Sequence, residues 1–380
     1  MSLRIAIMGT RGIPNRYGGF EQLASQLAPA LVKAGHEVFV YSTHAHPYKE
    51  TFWKGVRIVR CYDPSGIIGT AGQFVYDLLS ILDAHRRHFD IILQLGYTSS
   101  SVWGPLFPAG VPVIYHLDGL EWQREKYAPL TRKFLRYAEK LAIRFGDFFI
   151  TDSKEIQSYF EEKYASSSEY IAYGAAVDSD PATEHLLPFQ LEPQQYCMMM
   201  ARMEPENNIH MVLEGFCNSN QPGKILVVGD LSTGYGQKLA QKYASDKRVQ
   251  FAGAIFDQEI LHSLRHFCRI YFHGHSTGGT NPSLLEAMCA GTIIAAHHNA
   301  FNREVLGEEA FYFSSATEVT HLLHSVRRGS IEEQMIELNL SKTRELFRPE
   351  KIADQYRQFI LQCIFVSRHE RNLSHKRYSW

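Results

Sequence analysis

A glycine-rich stretch near the start of the chain combines residue types that bind phosphate groups. This stretch, GTRGIPNRYGGFEQ at residues 9–22, follows the apolar run LRIAIMG and contains four glycines and two arginines. Gly18 and Gly19 come just before a predicted helix, so their backbone N–H groups and the helix dipole suit an anion. Simple strand-to-helix turn chemistry is the alternative. The G-x-x-G spacing, and a second strand that ends without an acid, argue against a dinucleotide site.

A second stretch, HSTGGTNPSLLEAMCAG at residues 275–291, is more specific. Two glycines follow a predicted strand, and polar residues after them provide helix-capping groups and hydroxyl donors. Glu286 lies one turn into the predicted helix, where its carboxylate can accept hydrogen bonds from ribose hydroxyls. A well-capped core helix would explain the alanines, but not the two glycines before Thr280 and Asn281. The predicted donor-binding residues of this stretch are Gly278, Gly279, Thr280, Asn281, Ser283 and Glu286.

The elements that must position these loops alternate between strands and helices. Apolar runs such as HEVFVYS and DIILQLG predict buried parallel strands, with helical stretches between most of them. The pattern restarts at YCMMMAR, after a segment rich in proline, acidic and small residues that indicates a linker. The chain, at 380 residues, is also long for a single core.

This alternation predicts an α/β fold with two Rossmann-like domains, each a doubly wound parallel sheet, facing a central cleft. The predicted first domain covers residues 1–176, the linker residues 177–194 and the second domain residues 195–350. Residues 351–380 form a last helix and a basic tail. Ligands of such sheets bind beyond the carboxyl ends of the strands, where both glycine-rich loops lie.

The overall charge and the cysteine pattern exclude several classes of protein. A formal net charge of -1 gives no general attraction to nucleic acid, so no nucleic-acid partner is predicted. The six cysteines contain no CxxC pair, which argues against a zinc or disulfide scaffold and favours a reduced, cytoplasmic setting. No signal peptide and no run of about 20 apolar residues is found. The histidine pairs lack a third ligand at sensible spacing, so we expect no metal and no cofactor.

Several motifs together give the chain a family resemblance. The order ARMEPENNI, LVVGD, GGTNPSLLEAMCAG makes the C-terminal half similar to the retaining family-4 glycosyltransferases of GT-B fold. GTRGIPNRYGGFE and HLDGLEWQREKY resemble a bacterial rhamnosyltransferase-like subgroup. The resemblance implies that Arg202 faces the donor diphosphate, that Glu286 binds the donor ribose, and that the last helix crosses back to the first domain. Gly278 replaces a family glutamate that touches the transferred sugar, and Asn207 replaces a family lysine.

The resemblance also assigns roles in the first domain. A family histidine near position 116 contacts the donor sugar, so His116 and Asp118, with Arg202, are the predicted catalytic residues. A core histidine bonded to the backbone is the alternative for His116. Trp122 is placed to stack on a sugar face, or else to seal the core. The predicted acceptor-binding residues are Arg16, Tyr17, Glu121, Trp122 and Arg124, and the predicted donor site includes Gly18, Gly19 and Asn207.

The implied function is retaining sugar transfer from a nucleoside diphosphate sugar to a glycan or polyprenyl-linked glycan in cell-surface polysaccharide synthesis. The replacements at Gly278 and Asn207 indicate either that the transferred sugar is a deoxy sugar, with fewer hydroxyls to bind, or that the donor site is weak. The polar cleft loops and the subgroup favour dTDP-rhamnose. The alternatives are a UDP-hexose or UDP-N-acetylhexosamine donor, and a non-catalytic nucleotide-sugar-binding protein.

The stretch TRKFLRYAEKLAIRFG predicts an amphipathic helix on the acceptor domain. Such a helix suits an anionic membrane surface, and a solvated helix face is the alternative. We therefore expect a cytoplasmic protein with possible peripheral binding to the inner face of the plasma membrane. The predicted basic stripe consists of Arg132, Arg136, Lys140 and Arg144, and the predicted apolar face of Leu130, Phe134, Leu141 and Phe145.

Overall fold

The computed structural model describes residues 2–16, 18–117, 119–124, 126–176 and 179–377, and the chain forms two compact units. The first unit contains Met1–Trp122, Pro129–Tyr173 and Pro349–Trp380, and the second contains Gln123–Ala128 and Gly174–Arg348. These bounds differ from the predicted domains at one place that matters below. The short segment 123–128 comes from the middle of the first half of the chain but belongs to the second unit.

The first unit is built on an eight-stranded sheet in the order β3-β4-β2-β1-β5-β6-β7-β8. All neighbouring strands are parallel except β3 and β4, and β1 pairs with β2 (Ile5 opposite Val38) and with β5. The strands are β1 (Arg4–Met8), β2 (Glu37–Thr43), β3 (Phe52–Trp53), β4 (Val56–Cys61), β5 (Ile91–Leu95), β6 (Val113–Leu117), β7 (Phe148–Thr151) and β8 (Glu169–Tyr170). The helices between them are α1 (Gly19–Lys33), α2 (Ser65–Ile68), α3 (Gly72–Ala84), α4 (Pro129–Phe145) and α5 (Lys154–Tyr164).

The second unit has a six-stranded sheet in the order β11-β10-β9-β12-β13-β14, with parallel pairing throughout. Its strands are β9 (Tyr196–Met200), β10 (Lys224–Val228), β11 (Val249–Gly253), β12 (Ile270–His273), β13 (Ile294–His297) and β14 (Phe311–Phe313). Its helices are α6 (Ile209–Ser219), α7 (Gly234–Tyr243), α8 (Gln258–His266), α9 (Pro282–Cys289), α10 (Ala300–Leu306), α11 (Ala316–Ser325) and α12 (Ser330–Leu346). The prediction of two α/β units with parallel sheets is confirmed.

The predicted linker is folded against the second unit. A short 3-10 helix, Thr183–Phe189, buries Leu186, and the backbone N–H of Ala182 donates to Ser263 Oγ of α8 at 3.1 Å. The sequence predicted a linker here because this segment has no clear periodicity. Leu186 and Leu191 are both buried, and hydrogen bonds to Ser263 of α8 add to the contact.

The last helix, α13 (Pro349–Arg377), belongs to the first unit. Its Tyr356 is fully buried and its Arg368 forms an ion pair with Asp90 at 3.5 Å. Most of the predicted basic tail is therefore helical.

One helical stretch, Ser65–Ala84, is long and apolar enough to cross a membrane by length and composition alone, with a mean hydropathy of 1.2. In the fold it is divided into α2, a 3-10 turn and α3, and α3 buries Tyr76, Asp77 and Ile81. About 28% of this stretch is buried, and a single stretch of this kind is weak evidence for a membrane span.

Candidate active site

Two loops of the second unit are packed tightly together. They follow β9 (residues 201–208) and β12 (residues 274–281), which are neighbours in the sheet, so both lie at the carboxyl edge. Ser276 donates to the carbonyl oxygen of Glu206 from its backbone N–H (3.0 Å) and its hydroxyl (2.8 Å). A Cβ at Gly274 would lie 2.2 Å from Asn207 O, so only glycine allows this approach. The loops 201–208 and 274–281 therefore form one connected structure, and we call them the donor loops.

Asn207 stabilises the first donor loop from within. Its Nδ2 donates to the carbonyl oxygen of Arg202 at 2.7 Å, and the side chain is buried. Arg202 itself is exposed beyond the end of β9. The amide at position 207 therefore closes the loop.

The second donor loop ends in a capped helix. Asn281 Oδ1 accepts hydrogen bonds from the backbone N–H (3.0 Å) and the hydroxyl (2.9 Å) of Ser283 at the start of α9. Thr280 is buried. Gly278 has φ +116°, a conformation that L side chains rarely adopt. The backbone itself therefore disfavours a glutamate at position 278.

Glu286 on α9 forms an ion pair with Arg265 of α8. The Arg265 side chain is only 2% exposed and its Nη2 also lies 3.0 Å from Met200 Sδ, whereas the Glu286 side chain is 13% exposed. A buried guanidinium thus fixes the carboxylate predicted to bind ribose. Arg265 was not predicted from the sequence. The feature that could have indicated it is a basic residue next to Leu264 on the buried face of α8.

The segment 123–128 carries two cations to the first donor loop. Lys126 Nζ lies 2.8 Å from Glu204 Oε1, and Arg124 Nη1 lies 3.7 Å from Glu206 Oε1. Burial alone would raise the pKa of Glu204, but the charge of Arg202 and the contact with Lys126 hold it below its ordinary value. Burial and the neighbouring Glu204 carboxylate raise the pKa of Glu206.

His275, in the second donor loop, is kept neutral. Burial lowers its pKa well below the ordinary value, and the nearby charges of Arg202 and Arg124 add to the effect. Both guanidinium groups therefore lie close to this histidine. Arg124, predicted to bind the acceptor, is placed in the second unit.

At the first glycine-rich loop, the start of α1 holds a carboxylate of the chain itself. Glu21 is buried and its Oε1 accepts a hydrogen bond from the backbone N–H of Arg11 at 2.7 Å, with the N–H of Gly18 also contributing. Burial nevertheless raises the pKa of Glu21. A phosphate at Gly18 and Gly19 stays a prediction, and Glu21 uses one of the N–H groups that would bind it.

His116, at the end of β6, is fully buried in the first unit. The rings of Phe20, Tyr173 and Tyr356 surround it at centroid distances of 5.3, 5.9 and 6.3 Å. Among the described residues neither ring nitrogen has a hydrogen-bond partner, and burial lowers the pKa of His116 to about 3. His116 therefore has the core position of the alternative considered from the sequence, without the backbone hydrogen bond.

Trp122 belongs to a polar cluster around the buried Glu139 of α4. Its Nε1 donates to Glu139 Oε2 at 3.0 Å, and the guanidinium of Arg136 lies 4.2 Å from its ring centroid. One face of the indole is thus already covered. Glu121 is half-buried beside it, and Arg16 is exposed. The predicted residues Tyr17 and Asp118 lie outside the described residues.

Helix α4 faces the core with Leu135, Ala138 and Ala142, not with the predicted apolar face. The side chains of Arg136, Lys140 and Arg144 are exposed, and Arg132 is half-buried. Leu130 and Tyr137 are 79% and 58% exposed. Positions 130, 133, 137, 140 and 144 share one helical face, which mixes exposed apolar and basic side chains.

Among the described residues, no group of three His, Cys, Asp or Glu side chains could hold a metal ion. The positive charges at the donor loops come from arginine and lysine side chains.

Comparison with known families agrees with this division of the chain. Residues 188–330 match the family described as glycosyl transferases group 1. The matched residues lie within the second unit. Residues 109–176, which include His116 and Trp122, match a domain of unknown function, DUF1972. No curated protein sequence matches the chain.

Solved structures extend the likeness over nearly the whole chain. Sucrose-phosphate synthase from Thermosynechococcus elongatus superposes with a TM-score of 0.78 at 18% identity, covering 96% of this chain and 100% of that chain. HepE of Anabaena, solved in complex with UDP-glucose, superposes with a TM-score of 0.75 at 17% identity. The alignment covers 95% of this chain and 100% of that chain. Trehalose 6-phosphate synthase from Burkholderia multivorans gives 0.71 at 11% identity, covering 98% of each chain. At these identities the likeness shows the fold, and that fold is GT-B.

Proposed function

We propose that this glycosyltransferase moves a sugar from a nucleoside diphosphate donor to a glycan or lipid-linked glycan of cell-surface polysaccharide synthesis, with retention of anomeric configuration. The observation that carries the proposal is the construction of the donor loops. They join an exposed arginine, a helix start and a fixed carboxylate at one edge of a parallel sheet. These are the groups that a diphosphate and a ribose require.

The chemistry follows from the placement of charge. When the bond between sugar and diphosphate breaks, negative charge grows on the leaving phosphate. In the proposed mechanism Arg202 and the N-terminus of α9 stabilise that charge, and no metal is required. The acceptor hydroxyl attacks from the face that the diphosphate leaves and gives its proton to the departing phosphate oxygen, so the new glycosidic bond replaces the bond to the diphosphate. We expect transfer to continue at full rate after chelation with EDTA, and a loss restored by Mg²⁺ would refute metal independence.

dTDP-rhamnose is the preferred donor. Gly278 offers no carboxylate to the hydroxyls of the transferred sugar, which suits a deoxy sugar. UDP-glucose is the second candidate, because HepE, similar in fold, was solved with that nucleotide sugar. A thermal-shift series over dTDP, UDP and their sugars, followed by release of nucleoside diphosphate with and without an acceptor lipid, tests the proposal. Stabilisation by a nucleotide sugar without release under any acceptor condition would instead indicate a binding protein.

The acceptor is proposed to be a polyprenyl-linked glycan reached from an anionic membrane surface. The exposed face of α4 carries Leu130 and Tyr137 among basic side chains, a composition that suits the interface between headgroups and water. Flotation with vesicles containing anionic lipid tests this. Charge reversal at Lys140 and Arg144 should abolish flotation, and flotation that persists would contradict the proposal.

A further inference from the structure

The first donor loop is poor in positive charge. Between residues 201 and 208 the sequence ARMEPENN has Arg202 as its only cation, and two glutamates accompany it. Asn207 uses its amide on the loop backbone. A loop that binds a diphosphate through one arginine, beside two carboxylates, needs further positive charge from elsewhere.

The segment 123–128 supplies that charge. It is the one stretch of the first 173 residues that groups with the second unit. Its backbone turns at Arg124, whose carbonyl oxygen accepts a hydrogen bond from Tyr127 N–H at 3.3 Å. This turn directs Arg124 and Lys126 toward the two glutamates of the loop. The Arg124 side chain is 12% exposed and that of Lys126 is 26% exposed, so their charges are only partly screened by water.

The positive charges converge at one place. Arg202 and Lys126 both act on the Glu204 carboxylate, and Arg202 and Arg124 both act on His275. His275 is neutral and therefore adds no charge. Three cations, Arg202, Arg124 and Lys126, therefore lie beside the two carboxylates of Glu204 and Glu206. This cluster places more positive than negative side chains at the first donor loop.

We propose that Arg124 and Lys126 bind the diphosphate of the donor and replace the ammonium group that the first donor loop lacks at position 207. The inference rests on the proposed function and assigns Arg124 to the donor instead of the acceptor. A guanidinium has five N–H donors and an ammonium has three, so each can bridge a glutamate and a phosphate oxygen at the same time. The glutamates then act as supports that hold both cations in place.

Calorimetric titration of the full chain with UDP, dTDP and the matching nucleosides tests the inference. Arg124→Met and Lys126→Met should each weaken diphosphate binding about tenfold and leave nucleoside binding within about twofold. Lys126→Arg should retain most of the affinity. Lys247→Met changes an exposed lysine just before β11, at the opposite edge of the sheet, and should have no effect.

A double variant separates direct binding from charge compensation. If Lys126 acts only by neutralising Glu204, then Lys126→Met combined with Glu204→Gln restores diphosphate affinity, and the inference is overturned. If Lys126 contacts the diphosphate, the double variant stays weak. Single variants that bind diphosphate like the wild type, or that change only the KM for acceptor, also overturn it. A wild-type chain that binds neither nucleoside diphosphate would instead remove the proposed function itself.

Discussion

Glu286 has two roles, in the predicted ribose binding and in the ion pair with Arg265, and an alanine variant cannot separate them. The carboxylate is predicted to accept hydrogen bonds from the donor ribose, and it neutralises Arg265, whose side chain is 2% exposed. Removing one partner of a buried ion pair costs about 3–5 kcal/mol. In a domain of this size each kcal/mol lowers Tm by roughly 2–4 °C, so Glu286→Ala should lower Tm by roughly 6–20 °C. Lost activity in that variant would reflect unfolding as much as lost binding.

Replacing both partners avoids this difficulty. Arg265→Met combined with Glu286→Leu exchanges the pair for apolar side chains of similar size, a change that is often neutral for stability. The assay is the ratio of affinities for UDP and 2′,3′-dideoxy-UDP. A hydrogen bond to a charged group contributes about 1.5–3 kcal/mol, so the wild type should prefer UDP by at least about tenfold.

In the double variant the ratio should fall to about one, while Tm stays within a few degrees of the wild type. Glu214→Leu, at an exposed position of α6, is the matched control and should retain the wild-type ratio. A double variant that is folded and still prefers UDP tenfold would show that the ribose is bound elsewhere, and the assignment of Glu286 would have to be abandoned.

Three further predictions concern the first unit. His116→Leu should lower transfer at least about 100-fold. It should not lower Tm, because burying an imidazole without hydrogen bonds costs about 1–3 kcal/mol of stability. Unchanged transfer would make His116 a core residue only. Burial raises the pKa of Asp77 to about 7, so the folded chain favours the protonated carboxyl group. This contribution to the free energy of unfolding, about 4 kcal/mol, is present at low pH and is lost as the pH rises from about 4 to 7. Asp77→Asn should therefore match the wild type in Tm at pH 4 and exceed it at pH 8, and parallel pH profiles would contradict the shift. Glu139→Gln should lower the free energy of unfolding, measured in urea, by about 2–3 kcal/mol, because Glu139 accepts hydrogen bonds from Trp122, Tyr159 and Lys163. A loss below about 0.5 kcal/mol would show that the cluster contributes little.

The sequence predicted the fold well because its signals are local. Short apolar runs followed by glycine and polar residues identify buried parallel strands and the loops beyond them, and two neighbouring strands bring the donor loops together without further information. Asn281 was recognisable as a helix cap for the same reason. The path of the last helix into the first unit, in contrast, came from the resemblance and not from periodicity.

Contacts between distant parts of the chain were not predictable in this way. Nothing in the sequence around residues 123–128 indicates that the segment leaves its own half, because its place depends on ion pairs with residues about 80 positions later. Arg265 is similar, since a lone arginine in an amphipathic helix usually faces water. The apolar face of α4 was misassigned because the buried Glu139 takes a core position that hydrophobic patterning cannot recognise.

The two departures that the resemblance implies have separate physical explanations. Gly278 occupies a backbone conformation that a glutamate would strain, and Asn207 closes the first donor loop with its side-chain amide. Relative to the pattern that the resemblance implies, the donor loops lack one negative and one positive group, so their net charge is preserved. What would differ is where the positive charge originates. If it comes from the segment 123–128, donor binding depends on residues that lie between a strand and a helix of the first half of the chain, and the Asn207 side chain serves only the loop backbone.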